Sequence, residues 1–132
     1  MRAIPFFDYP AIYTRFSAEF DQIFRDVCSR GAFILQKDLS SFEANLASFL
    51  GVKNAFGVSD GTNAIILGLK ASEIGPGDEV IIASHTYIAT AAAIKIVGAV
   101  PVFADIGDDF MISSASVEEV ISEKTKAIMV TQ

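Results

Sequence analysis

A single cysteine, a single histidine and only ten basic residues against sixteen acidic ones limit the chemistry open to this 132-residue chain. With Cys28 alone there is no internal disulfide framework and no multi-cysteine metal site, which points to a reducing compartment. Cys28 itself is expected to be a small buried residue on a helix. With His85 alone, no Ser-His-Asp or Cys-His arrangement is supportable, and no paired carboxylates stand at ligand spacing to complete a zinc site. The net charge of −6 argues against nucleic acid or an anionic membrane as partner, since both need a basic face. No run approaches the roughly 18 apolar residues of a membrane span. MRAIPFFDYP lacks the basic region, apolar stretch and cleavage site of a signal peptide, so a cytoplasmic protein is expected.

What the chain does have is apolar mass. Hydrophobic residues make up 52% of it, charged ones 20%, and eleven residues are Phe. Either the core is dense, or part of this surface meets a partner. The length suggests one globular unit.

Ile12, Phe16, Phe20, Ile23 and Val27 recur at helical spacing and, with Phe24, form one stripe that stops near Gly31. Ser40 with Glu43 reads as a capping box opening a helix whose buried face is Phe42, Leu46, Phe49 and Leu50, closed by Gly51. Beyond it, short apolar runs at Ala55 to Val58, Val80 to Ala83, Val100 to Ala104 and Ala127 to Val130 alternate with helical stretches. Those stretches are Thr62 to Ser72, Thr90 to Val97, and Val117 to Glu123 after a second capping box, Ser116 with Glu119. This alternation predicts an α/β fold with a parallel sheet. The final KAIMVTQ reads as a strand with nothing behind it, as if the chain were the first piece of something longer.

Two strand-to-helix junctions could carry chemistry. In GVSDGTNA, residues 57–64, Gly61 lets a ligand approach the backbone, and the helix N-terminus carries about half a positive charge, which favours phosphate. The alternative is turn chemistry alone, with Ser59 or Asp60 capping the helix; the Asp60 charge opposes a phosphate unless its side chain turns away. In ASHTYIATAAA, residues 83–93, His85 and Tyr87 fall where a ligand at the carboxyl edge of a parallel sheet would lie. Tyr87 could stack on a flat group or be a core aromatic, and His85 could be a surface or satisfied histidine. GPGDE, residues 75–79, reads as a tight turn into a strand. Asp105, after PVFA, is either a ligand or a strand-end cap.

Taken in order, FEANLASFLGV, SDGTNA, GPGDEVI, SHTYIAT, GAVPVFADI and TKAIMVTQ resemble the N-terminal part of the DegT/DnrJ/EryC1/StrS sugar aminotransferases, fold-type I pyridoxal phosphate enzymes. The resemblance implies that residues 1–132 form a partial, mostly parallel sheet with flanking helices, the N-terminal part of the large cofactor-binding domain. It implies pyridoxal 5′-phosphate as cofactor, with Gly61 and Thr62 on its phosphate and Tyr87 stacked on its ring. The family usually has Ser directly before Gly-Thr, whereas Asp60 stands between Ser59 and Gly61 in this chain, so the resemblance carries over to the Gly-Thr backbone rather than to Ser59. The implied substrates are a nucleotide-linked keto sugar, with SHTYIAT most like members acting on 3-keto sugars, and an amino-acid donor such as glutamate; the implied assembly is a homodimer.

No lysine among Lys37, Lys53, Lys70, Lys95, Lys124 and Lys126 sits in the family's Schiff-base context, so no catalytic residue is expected in this chain and it should not transaminate alone. Two other readings stand beside this one: a non-catalytic protein kept for assembly or regulation, and a sugar dehydratase of the same fold.

Overall fold

Three of the four apolar runs pair into one parallel sheet, in a computed structural model that describes residues 4–131. The strands are β1 (Glu79–Ala83), β2 (Val100–Ala104) and β3 (Thr125–Met129), in the order β2-β1-β3. Ile82 sits opposite Phe103 on one side and Met129 on the other. The helices are α1 (Tyr9–Ser29), α2 (Lys37–Leu50), α3 (Gly61–Ala71), α4 (Ile88–Ile96) and α5 (Ser114–Val120). Where the length suggests one unit, the chain packs as two, dividing after Gly57.

The second unit, from Val58 onward, is built on β1. Strand side chains alternate between faces, so Val80 and Ile82 join Leu69 of α3 and Ala93 and Ile94 of α4 in one cluster. Ile81 points the other way, against Ala104 and Val117 of α5. Val80, Ile81, Ile82 and Ile94 are fully buried. The GPGD turn feeds β1 as expected, with Asp78 N–H donating to the Gly75 carbonyl at 3.1 Å and Gly77 at φ +96°.

The first unit holds α1 and α2. Helix α1 has Asp8 as its cap, its carboxylate accepting from Ala11 N–H, and a non-helical residue at Phe16; none of its residues is buried. Arg30 joins the end of α1 to the start of α2 through Asp26 and Asp38, at 2.8 and 2.9 Å. The expected buried Cys28 is instead exposed on α1. Of the four apolar residues expected to be buried on α2, Phe42, Phe49 and Leu50 are exposed, and only Ala47 is buried in that helix. The excess of apolar residues is therefore largely surface.

Three further expectations are corrected. Residues 55–58 form no strand: a strand exists only as a pairing, and among the described residues the sheet pairs β2, β1 and β3 alone. Gly57 N–H donates instead to Glu43 Oε1 at 2.8 Å, and a side chain at Gly57 would collide with Leu39. Glu43 is thereby committed across the unit and closes no capping box; α2 begins three residues before Ser40, with Gln36 at its cap. Likewise Ser113, not Ser116, caps α5, and the Ser116 hydroxyl accepts from Asp105 N–H at 2.7 Å.

Candidate functional site

Helices α3 and α4 both run from the carboxyl edge of the sheet to its amino edge. Helix α4 starts five residues after β1 ends, and α3 ends just before the turn that opens β1. Both N-termini, with their unsatisfied N–H groups and partial positive charge, therefore face the carboxyl edge, where ligands of open α/β sheets bind. Gly61 and Thr62 open α3; Tyr87 is the cap position of α4.

At α3 the choice between cap and anion cradle resolves in detail. Asp60, not Ser59, is the cap: its Oδ1 accepts from Asn63 N–H at 2.9 Å, and its Oδ2 accepts from the Asn63 amide at 2.8 Å and the Ser59 hydroxyl at 2.9 Å. The carboxylate has not turned away. The Asn63 N–H above all, then the Asn63 amide and the Ser59 hydroxyl, hold its pKa below the usual carboxylate value. Gly61 and Thr62, in the first turn, have no carbonyl four residues back within the helix. No atom lies within 4 Å of where a Gly61 side chain would start, so the backbone there is open to an approaching group.

At α4, Tyr87 is 77% exposed and makes no side-chain capping bond. It is not the core aromatic that was one of its two sequence readings. His85 is also exposed and meets the Phe110 ring edge-on, 6.2 Å between centroids. Phe110 has φ +63° in a turn closed by its N–H to the Gly107 carbonyl. Asp105 behaves as a strand-end cap: Oδ1 accepts from its neighbour Ile106 N–H at 2.8 Å.

Three threonines that no motif singles out meet at the start of α4. Thr86 Oγ1 lies 3.0 Å from both Thr90 Oγ1 and Thr131 Oγ1, joining the β1–α4 loop to α4 and to the end of β3. Threonines four apart across a helix start were the available signal. Among the described residues, no group of three or more metal-ligating side chains gathers, and no helix is long and apolar enough to cross a membrane.

Residues 15–132 match the DegT/DnrJ/EryC1/StrS aminotransferase family. The chain is 41% identical over 128 residues to a dTDP-3-amino-3,6-dideoxy-alpha-D-galactopyranose transaminase of Aneurinibacillus thermoaerophilus, covering 96% of this chain and 35% of that protein. It is equally identical, with the same coverage, to a UDP-N-acetyl-3-dehydro-alpha-D-glucosamine 3-aminotransferase of Acidithiobacillus ferrooxidans. The fold matches solved DesV of S. venezuelae with a TM-score of 0.91 at 37% identity, over 98% of this chain and 35% of that one. It matches the Bacillus subtilis protein NtdA, solved with bound cofactor PMP, with a TM-score of 0.90 at 32% identity, over 98% and 30%. The α/β architecture is that of part of the fold-type I pyridoxal phosphate aminotransferases, and the chain spans about 35% of the length of the relatives named first. With its sequence matched from residue 15 to its end, the chain belongs to the DegT/DnrJ/EryC1/StrS aminotransferase family.

Proposed function

We propose that this chain is the N-terminal part of the cofactor-binding domain of an aminotransferase that moves an amino group from an amino acid, glutamate foremost, to a nucleotide-linked keto sugar. The observation that carries this reading is the placing of Gly61, Thr62 and Tyr87 at helix starts on one edge of a parallel sheet. The two relatives named first, described for a 3-amino-3,6-dideoxy sugar and a 3-dehydro sugar, favour a 3-keto substrate.

The donor set fits pyridoxal phosphate. Gly61 and Thr62 offer two N–H groups and one hydroxyl at a positive helix end, with open space beside Gly61. Asp60 holds the Asn63 N–H and also draws on the Thr62 N–H, more weakly, so the Gly61 N–H and the Thr62 hydroxyl are the donors an anion would find least contested. For each unit of phosphate charge a few ångströms away, that carboxylate costs about 1 kcal/mol in bulk water and about 4 near a protein surface, so several charge-assisted hydrogen bonds together have to offset it. The exposed Tyr87 ring, without a side-chain capping bond, would stack on the pyridine ring. The cofactor, when bound, supplies an electron sink for the carbon that gives up its proton.

This chain binds and orients; it moves no proton. Lys70 and Lys95 sit in the last turns of α3 and α4, and Lys124 and Lys126 flank the start of β3. All four lie toward the amino edge, and a five-residue strand is about 16 Å long, beyond the reach of a lysine side chain to the site. We therefore expect the 132-residue chain to bind pyridoxal phosphate weakly and reversibly. Borohydride treatment of the mixture followed by mass spectrometry should find no modification at Lys70, Lys95, Lys124 or Lys126; stoichiometric trapping at one of these four overturns this assignment.

A second reading, assembly or regulation without catalysis, is favoured by α1, where Tyr13, Phe16, Phe20 and Ile23 stand exposed with no residue of the helix buried. The transaminase reading accommodates the same surface as a homodimer interface. Sugar-dependent transamination by the protein that carries this segment separates the two.

A further inference from the structure

Tyr87 has a task that its own side chain cannot perform, since a ring 77% exposed and without a capping bond does not fix itself. The fixing is done by its neighbours. Thr90, only 7% exposed and the one buried polar residue among those described, holds both residues of the turn: its N–H donates to the Tyr87 carbonyl at 3.0 Å, and its hydroxyl lies 3.0 Å from the Thr86 hydroxyl. A helical threonine ordinarily bonds the carbonyl four residues back; here the partner is the side chain at that position. Thr86 in turn lies 3.0 Å from the Thr131 hydroxyl, just beyond β3. Each hydroxyl has one proton and two lone pairs, so Thr86 either donates to one neighbour and accepts from the other or accepts from both, and in each case its hydroxyl is shared by α4 and the segment after β3.

We propose that Thr86 is a positioning residue for Tyr87, holding the turn through hydroxyl contacts to α4 and to the end of β3 so that the ring stays at the carboxyl edge. This rests on the cofactor reading above. The row also explains why the turn is anchored at two strands: β1 leads into it, and Thr131 ties it to β3.

The test titrates the chain with pyridoxal phosphate and, separately, with inorganic phosphate, in wild type, Thr86→Val and Thr86→Ser. Valine keeps the shape and removes the hydroxyl; serine restores it. The expected result is that Thr86→Val weakens pyridoxal phosphate binding about three- to tenfold, the scale of one lost hydrogen bond, leaves inorganic phosphate binding unchanged and is rescued by serine. Hydrogen exchange at the Tyr87 and Ile88 amides should rise in the valine variant and return in the serine variant. Equal losses for both ligands mean a general structural role, and no loss with unchanged exchange means no role; either overturns the proposal. If wild type binds neither ligand, the cofactor reading fails, while the exchange measurement still decides whether Thr86 holds the turn.

Discussion

Asp60 is where stability and binding meet. Its carboxylate caps α3, and its pKa is lowered chiefly by the Asn63 N–H. A lowered folded pKa means that the contribution is complete above the ordinary carboxylate range and is lost as pH falls through the folded value. Acid unfolding followed by circular dichroism should therefore show a shallower loss of stability in Asp60→Asn. It should not vanish, because Asp26, lowered by Arg30, behaves likewise. Asp60→Asn keeps a capping oxygen while removing the charge, so thermal unfolding should change little and inorganic phosphate should bind more tightly, whereas Asp60→Ala lowers the melting temperature. Tyr87→Ala should weaken pyridoxal phosphate binding by about 1 kcal/mol, roughly fivefold, without altering unfolding. Gly61 and Tyr87 were legible as candidates because helix starts announce themselves in short motifs, although only α4 follows a strand; Thr62 entered through the family resemblance. The Thr86 row was not, since Thr131 is 45 residues from Thr86 and only the folded sheet brings them together.

The elements follow the same division. Helices α3 and α4 and strands β1, β2 and β3 were readable because period and local turn chemistry agree with what the sheet requires, as at Gly77. Both misread capping boxes involve a side chain with a distant claim. Glu43 binds Gly57 and Ser116 binds Asp105, contacts that no local pattern contains, and the run at residues 55–58 has β-like composition without a partner. Substitutions in the second unit should weigh the central strand most. Ile82→Ala, at a fully buried position, should cost about 2–5 kcal/mol in urea unfolding. Gly98→Ala should cost more than about 1 kcal/mol, because φ is +88° and the new Cβ would stand 2.9 Å from Pro76 Cγ.

At the scale of the molecule, the apolar residues that the composition supplies in excess are mostly on the outside, from Phe16 and Phe20 on α1 to Phe49 on α2 and Phe103 on β2. The homodimer reading places α1 in an interface, so Phe20→Ser should weaken self-association roughly tenfold or more by analytical ultracentrifugation, with helix content unchanged. The lysines of the second unit and the candidate cofactor site occupy opposite edges of one sheet, which makes binding and covalent chemistry separable. Calorimetric titration of the chain with pyridoxal phosphate, in wild type and in Thr62→Val and Tyr87→Ala, tests that arrangement most directly. The account predicts saturable binding in wild type that inorganic phosphate competes away and that both substitutions weaken; no saturable binding in wild type, or equal affinity in all three proteins, would contradict it.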